Sequence, residues 1–499
     1  MKKLLYIFLS ISLSLSIYSC DLDTMPTDAV DTNLAFTSAD NADKVLNGTW
    51  RYMMDTYFTY ANPGWCSIFR NSDAMGNDVA VQPGKYGYLS AYNFNSMNQI
   101  TATAVRAPWQ IGYKVIDNCN HIINKIDGTP GGDDLKKRIK AQALALRGYV
   151  YLNLATFYQF TYRKDPSALC VPIYTEYTTE TSKPKGKSTV QEVYSRATSD
   201  LTDAYKLLEG LPKYTRDEKY QINKSVIAGI LARAYLQMGL WDDAEGYADE
   251  AQASAAWMSQ DSYLEGFNDL GNVEWIWGHG QQPDQSDASY HFNFIDVSSS
   301  ASYYYSFMAD PYFKDFFDTN DVRSQLFQWD TTRYIGGLMY KKFRFRSNLT
   351  GDLVLMRKAE MVLIQAECLA EQDDLPGAIG KLNSLRIARG ADTPNLSSLS
   401  KEDLIEEILI ERRKELFGEG FSLSDILRRQ KAVERKGVAS KTPVIIDGKV
   451  VVLGKEKKDT AFVKGHTTLR FPNKTNFIPN SDYYLFVVPS NESTNNPNI

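Results

Sequence analysis

The residues of this chain best equipped for chemistry are aromatic, and two stretches set them among glycines, amides and carboxylates. The first runs from Asn77 to Tyr92 and holds Tyr86, Tyr88 and Tyr92; the second runs from Gln281 to Tyr305 and holds Tyr290, His291, Tyr303 and Tyr304, with Trp329 beyond it. Tyrosine and tryptophan pair an apolar ring face with a polar edge, and concave binding sites combine such surfaces with a few converging hydrogen-bonding groups. A sugar has the matching character, with C–H faces and hydroxyl edges. The pattern therefore suits ring stacking by a ligand with an apolar face and polar edges, and Tyr86 is the preferred platform. Tyr290, His291, Tyr303, Tyr304 and Trp329 are the further ligand-binding candidates. With 31 tyrosines, 23 phenylalanines and 8 tryptophans in the chain, most rings must serve packing. Trp275 and Trp277, which alternate with Ile276 in a strand pattern, are assigned to the core.

Catalytic patterns are sparse. Glu411 and Glu415 lie four apart on one helix face, where an acid/base pair could sit. Arg412, Arg413 and Lys414 surround them, and opposite charges within a turn are ordinary helix stabilisers, so a structural ion-pair network is expected. Histidines occur at 121, 279, 291 and 466, too scattered to form a ligand or relay pattern. No H-E-x-x-H, P-loop or G-x-S-x-G motif is present, and no catalytic residue, cofactor or metal site is assigned. Glycoside cleavage needs only two well-placed carboxylates, which keeps a glycosidase as the enzymatic alternative. A protein-binding scaffold is the other alternative.

The N-terminus reads as a targeting segment. Lys2 and Lys3 precede an apolar, serine-interrupted run from Leu4 to Ile17 that is too short to span a bilayer comfortably. It ends in Ile17-Tyr18-Ser19-Cys20, which looks like a lipobox: residues 1–19 are the signal peptide and Cys20 is the lipidated residue. Several acyl chains, at about 0.8 kcal/mol per buried methylene, anchor stably. The formal charge of −5 becomes −7 once Lys2 and Lys3 are removed, and no basic stripe remains, which argues against nucleic acid as a partner. Cys66, Cys119, Cys170 and Cys368 show no zinc spacing; Cys119 and Cys368 fall in helical patterns where a buried free thiol is expected.

The elements that must position the aromatic loops are mainly helical. Between Asn223 and Ala253, apolar residues recur at steps of three and four in two runs separated by Gly239-Leu240. Asn223 caps the first, Gly239 ends it, and Asp242 and Asp243 open the second, giving an antiparallel hairpin. Its A-x-A-Y-L and G-x-W-x-x-A order resembles a tetratricopeptide unit, which needs neighbours to bury its face. Further helices are predicted over Ala39–Tyr57, Pro108–Ile126, Leu135–Phe160, Thr189–Leu208, Val354–Glu371, Leu375–Arg389 and Lys401–Phe417. The loop-rich regions span about 62–95 and 273–350, the second with strands at Glu274–Trp277 and Leu338–Phe345. Asp447-Gly448 between two valine- and isoleucine-rich runs predicts a type I′ hairpin. The expected class is mainly α: helical hairpins forming a scaffold, with an irregular loop-rich region containing short β-hairpins. Residues 20–35 form a tether, and 20–499 form a single domain.

Taken in order, several stretches resemble the SusD/RagB family of nutrient-binding outer-membrane lipoproteins. They are the lipobox, LRGYVYLNLATFYQF with VPIYT, EVYSRATSDLTDAYKLL, INKSVIAGILARAYLQMGLWDDA, MRKAEMVLIQAECLAE with AIGKLNSLRIARG, EEILIERRKELFGEGFSLSDILR, and the closing FVVPSNESTNNPNI. One departure is Ser422-Leu423-Ser424 before Asp425, where the family pattern has an arginine and an aromatic. The resemblance implies a non-catalytic, surface-exposed lipoprotein in the outer membrane. It would bind oligosaccharide, or peptide as in some members, and deliver it to a SusC-like TonB-dependent transporter.

Overall fold

The computed structural model describes residues 35–57, 64–83, 87–212, 218–281, 287–453 and 459–499, with backbone alone at 287–290. The signal peptide, Cys20, the tether up to residue 34, Tyr86 and the side chain of Tyr290 lie outside the described residues. Among those described, no helix is long and apolar enough to cross a membrane.

The helices follow one another in space much as in sequence. In chain order they are α1 (Ala39–Met54), α2 (Cys66–Met75), α3 (Leu89–Tyr92), α4 (Thr103–Lys125), α5 (Asp133–Tyr158), α6 (Val190–Leu207), α7 (Lys224–Met238) and α8 (Trp241–Gln252). After the short α9 (Gln260–Tyr263) and α10 (Asp287–Ile295) come α11 (Lys358–Glu371), α12 (Leu375–Arg389), α13 (Lys401–Leu416), α14 (Ser422–Arg428) and α15 (Ser490–Asn495). α1 packs on α4, α4 on α5, α5 on α6, α6 on α7, and α7 on α8; α8 then meets α11, which packs on α12 and α13. This serial stacking is what helical hairpins with one apolar face each require.

Local chemistry fixes the ends. Thr189 and Glu192 form a reciprocal capping box at the start of α6, Asn223 accepts from the Val226 N–H at 3.1 Å, and Gly239 closes α7 at φ 76°. The predicted hairpin is present, with Ile445–Ile446 paired to Lys449–Val450 and with Asp447 and Gly448 at φ 49° and 72°, as a type I′ turn demands.

Two expectations need correction. Residues 66–75, read as loop, are helix α2; its polar Asn71, Ser72 and Asp73 are all buried, which erased the amphipathic pattern. Val354 does not begin a helix. Leu353–Arg357 is a strand, β6, pairing antiparallel with β2 (Trp275–His279), because a short apolar run reads alike in either state. In β2, Ile276 is buried as well as both tryptophans, so neither face of that strand meets solvent.

The α13 carboxylates are the centre of a buried ion network. Glu415 accepts from Arg323, Arg357 and Arg389 at 2.8, 2.5 and 2.8 Å, while Glu274 accepts from Arg357 and Arg389 at 2.8 and 2.7 Å. Glu411 accepts from Arg323 and Arg386. Burial alone would raise the Glu411 pKa, but Arg323, Lys414 and Arg386 outweigh it and hold it at about 2. Cys66, Cys119, Cys170 and Cys368 are free and buried, and burial pushes the first three thiols up to about 12.

Candidate functional site

A small sheet brings the two aromatic loop regions together. Its order is β1 (Val79–Val81), β3 (Phe307–Ala309), β5 (Leu338–Tyr340) and β4 (Phe327–Trp329). Val79 pairs with Ala309 and Val81 with Phe307, so the first loop region is stitched directly to the end of the second. Residues more than two hundred apart in sequence thus share one face.

At this junction Tyr88 meets Phe294 edge-on at 4.9 Å and Phe307 at 5.5 Å, while Phe294 stacks on Tyr304 at 4.8 Å. Offset and edge-on ring pairs add about 0.5–1.5 kcal/mol beyond area burial. Gly87 makes the approach feasible. It sits at φ +95°, and a Cβ there would lie 2.7 Å from the Phe294 ring.

Asn293, on α10, organises the following loop. Its carbonyl accepts from the Tyr304 and Tyr305 N–H groups at 3.1 and 2.8 Å, and its side-chain Oδ1 accepts from the Tyr303 N–H at 2.9 Å. This turn buries Tyr304 and leaves Tyr303 77% exposed. Asp296 fixes the next segment, its Oδ1 accepting from the Ser298 and Ser299 N–H groups and its Oδ2 from that of Phe345. A second loop is built the same way on Asp330, whose carboxylate accepts from Thr332, Arg333 and Tyr334. Burial would raise the Asp330 pKa, yet these N–H donors hold it below the usual range. The loop delivers Arg333 over the Tyr305 ring at 3.7 Å, with a hydrogen bond to the Val297 carbonyl at 2.8 Å. Tyr334 lies under Lys464 at 4.3 Å.

On the other side of Tyr88 opens a cavity of about 260 Å³, lined by Ser67, Asn71, Tyr88, Ser90, Ser96 and Thr103 with glycine and alanines. No charged side chain lines it among the described residues. Ser67, Tyr88 and Ser96 are 3%, 7% and 6% exposed, and their hydroxyls have no hydrogen-bond partner among the described residues. An unmet buried hydroxyl costs about 1–3 kcal/mol, so three at one cavity are held against a gradient. A cavity of about 150 Å³ takes benzene, and this larger, hydroxyl-lined one matches a neutral polyol of sugar-ring size.

The structure therefore treats the predicted residues differently. Tyr303 is an open ring on the junction surface. Trp329, on β4, is half-buried, with its ring packed partly on the main core. His291 and Tyr304 correct the expectation of open platforms, since both are buried: Tyr304 stacks beneath the surface on Phe294, and the His291 ring lies edge-on to Phe292. Burial first, and the positive charge of Arg70 second, hold the His291 pKa well below its ordinary value. Tyr88 and Tyr305 entered the sequence reading only as members of the two aromatic stretches, and Arg333, Tyr334 and the serines of the cavity were not singled out. For Arg333 and Tyr334 the signal was available, because Asp330 followed by two threonines announces a side-chain-to-backbone turn. For Ser67 and Ser96 none was, since lone serines occur in every loop.

The comparisons with known proteins agree with this architecture. A SusD-like family model described as starch-binding and associating with the outer membrane matches residues 55–236, and the SusD family model matches residues 287–499. A crystal structure of a SusD-like carbohydrate binding protein from Bacteroides vulgatus is 42% identical, covering 93% of this chain and 98% of that one, with a TM-score of 0.86. A SusD superfamily protein from Bacteroides thetaiotaomicron has the same fold at 23% identity and a TM-score of 0.73, covering 93% and 99%. A SusD-like protein P38 from Formosa agariphila is 36% identical over 93 residues, which is 17% of this chain and 18% of that protein's length. Helical stacking, loop-borne aromatics and a near full-length relative at this identity lead to one conclusion: the chain belongs to the SusD family.

Proposed function

We propose that this chain is a non-catalytic, surface-exposed lipoprotein anchored in the outer membrane through Cys20. In this reading it captures neutral oligosaccharide at the junction of its two aromatic loop regions and hands it to a SusC-like TonB-dependent transporter. The observation that carries the reading is the cavity beside Tyr88, whose described lining is hydroxyl, amide, glycine and alanine without charge; Tyr303 adds an exposed ring next in sequence to Tyr304, which reaches Tyr88 through Phe294. A peptide brings charged termini and side chains, for which the described lining of that cavity offers no counter-charge. A sugar brings hydroxyls that both donate and accept, as serine and tyrosine do.

The state of four carboxylates supports a binding rather than a cleaving role. Glycoside cleavage needs a pair of carboxyl groups free to act as acid and as nucleophile or base. Asp296 and Asp330 spend their oxygens on backbone N–H groups, and Glu411 and Glu415 are enclosed by arginines. Stacking on a few rings gives a modest affinity per site. The test is calorimetric titration of the purified protein with neutral and acidic oligosaccharides and with peptides, followed by product analysis of the same mixtures. Heat from neutral glycans with no new reducing ends supports the proposal. New reducing ends, or binding confined to peptides, contradict it.

A further inference from the structure

Away from the aromatic junction, α13, α14 and residues 431–434 enclose a cleft of about 90 Å³. Its interior is apolar, formed by Leu409, Leu416, Phe417 and Ile426, all buried, with the half-buried Phe421 beside them. The exposed Glu406 and Glu434 stand at its mouth. Most of its charged groups are matched: Arg413 with Asp78 at 2.6 Å, Arg429 with Glu371 at 2.6 Å, and Lys431 with Glu406. Arg412 is different. It is 3% exposed, its Nε donates to Asp425 at 2.7 Å and its guanidinium lies 4.9 Å from the Phe421 ring, but its Nη1 is buried without an acceptor. Among the described side chains lining the cleft, that is the single buried polar atom left without a partner.

Arg412, Phe421 and Asp425 also line a second cavity of about 70 Å³, so the guanidinium stands in the wall between the two. The space exists because the chain is small at the right place: Ser422 lines the first cavity and Ser424 the second. A guanidinium donor that is buried and unmatched seeks a carboxylate oxygen, since charge-assisted bonds are roughly twice as strong as neutral ones. The apolar interior takes a short hydrocarbon; by comparison with the roughly 150 Å³ that holds the six carbons of benzene, this cleft of about 90 Å³ admits a chain of about three to four carbons.

We propose that the cleft between α13 and α14 is a second ligand site, selective for a small amphiphilic carboxylate. Its hydrocarbon end rests on Leu409, Leu416, Phe417 and Ile426, and its carboxylate accepts from Arg412. The site shares no lining residue with the cavity beside Tyr88, although Asn77 and Asp78, at the start of the first aromatic stretch, also line the cleft.

The test is titration of the purified protein with butyrate, with butan-1-ol and butylammonium as matched controls, followed by protein-observed NMR. Butyrate is expected to bind with a Kd of about 1 mM or tighter and both controls at least about tenfold more weakly. Ser422→Leu, which fills the cleft from within, should abolish binding at unchanged Tm. Ile410→Trp, which covers it from the half-buried side, provides the same readout should the first variant fail to fold. Glycan binding should persist in either variant. Equal binding of butyrate and butan-1-ol, unchanged butyrate affinity in both variants, or no binding of butyrate at all overturns the proposal.

Discussion

Two polar regions of this molecule are buried to a similar degree and resolved in opposite ways. Around α13, Glu415 takes donors from three arginines and Glu274 from two of the same three, leaving the carboxylates fully engaged. Around the cavity beside Tyr88, three hydroxyls have nothing to bond to. The difference separates stability from binding. A charge enclosed by partners locks α13 to the β2–β6 ribbon and to α12, and nothing is left over for a ligand. A hydroxyl beside a cavity without a partner among the described residues is available to a guest that brings hydroxyls of its own.

The largest effect should come from breaking the saturated side. Glu415→Gln leaves three guanidinium groups sharing a neutral amide, and unfolding by denaturant should show a loss of about 3–5 kcal/mol. A loss under about 1 kcal/mol would mean that these arginines find other acceptors. On the open side, Tyr303→Ala removes an exposed ring with no packing duty. Calorimetry should show neutral-glycan affinity falling up to about tenfold with Tm unchanged, and unchanged affinity would remove Tyr303 from the site. Ser96→Ala sharpens the contrast further. Deleting an unmet hydroxyl should leave stability equal or raise it by up to about 1 kcal/mol while glycan binding weakens severalfold. A clear loss of stability would show that Ser96 is a structural group after all.

A smaller effect is set by pH. Burial first, and the neighbouring Asp78 second, raise the Asp310 pKa from 3.8 to about 7. The folded state thus holds the Asp310 proton more tightly than the unfolded chain. The resulting stability is complete below pH 3.8 and fades as pH rises through about 7. Asp310→Asn should flatten the fall in stability between about pH 5 and about pH 8, as read from unfolding midpoints at the two values. A variant with the same slope as the parent would place the titration elsewhere.

How much of this was legible in the sequence follows from what kind of order each part has. Helices with one buried stripe and a cap announced themselves: the α7–α8 hairpin has Asn223, Gly239 and the acidic opening of α8 where they were expected. Helix α2 was missed because its polar residues are buried, which removes the contrast that periodicity measures. The Glu411 and Glu415 ion network was legible as charge pairing, although its long-range partners Arg323, Arg357 and Glu274 were not, since nothing local links them. The aromatic regions were found by composition, but loops have no period to separate an outward ring from an inward one. Tyr303 and Tyr304 are adjacent and alike in sequence, and it is Asn293, ten positions earlier, that turns one to solvent and the other onto Phe294. Chain position thus identified the neighbourhood, while hydrogen bonds from distant residues decided which ring is available.

The most direct test of the account is a paired calorimetric titration of neutral oligosaccharides into the parent protein and into Tyr303→Ala, with product analysis of both mixtures. The account predicts saturable binding to the parent, a weaker isotherm for the variant and intact oligosaccharide throughout. Cleaved oligosaccharide, or identical isotherms for the two proteins, would contradict it.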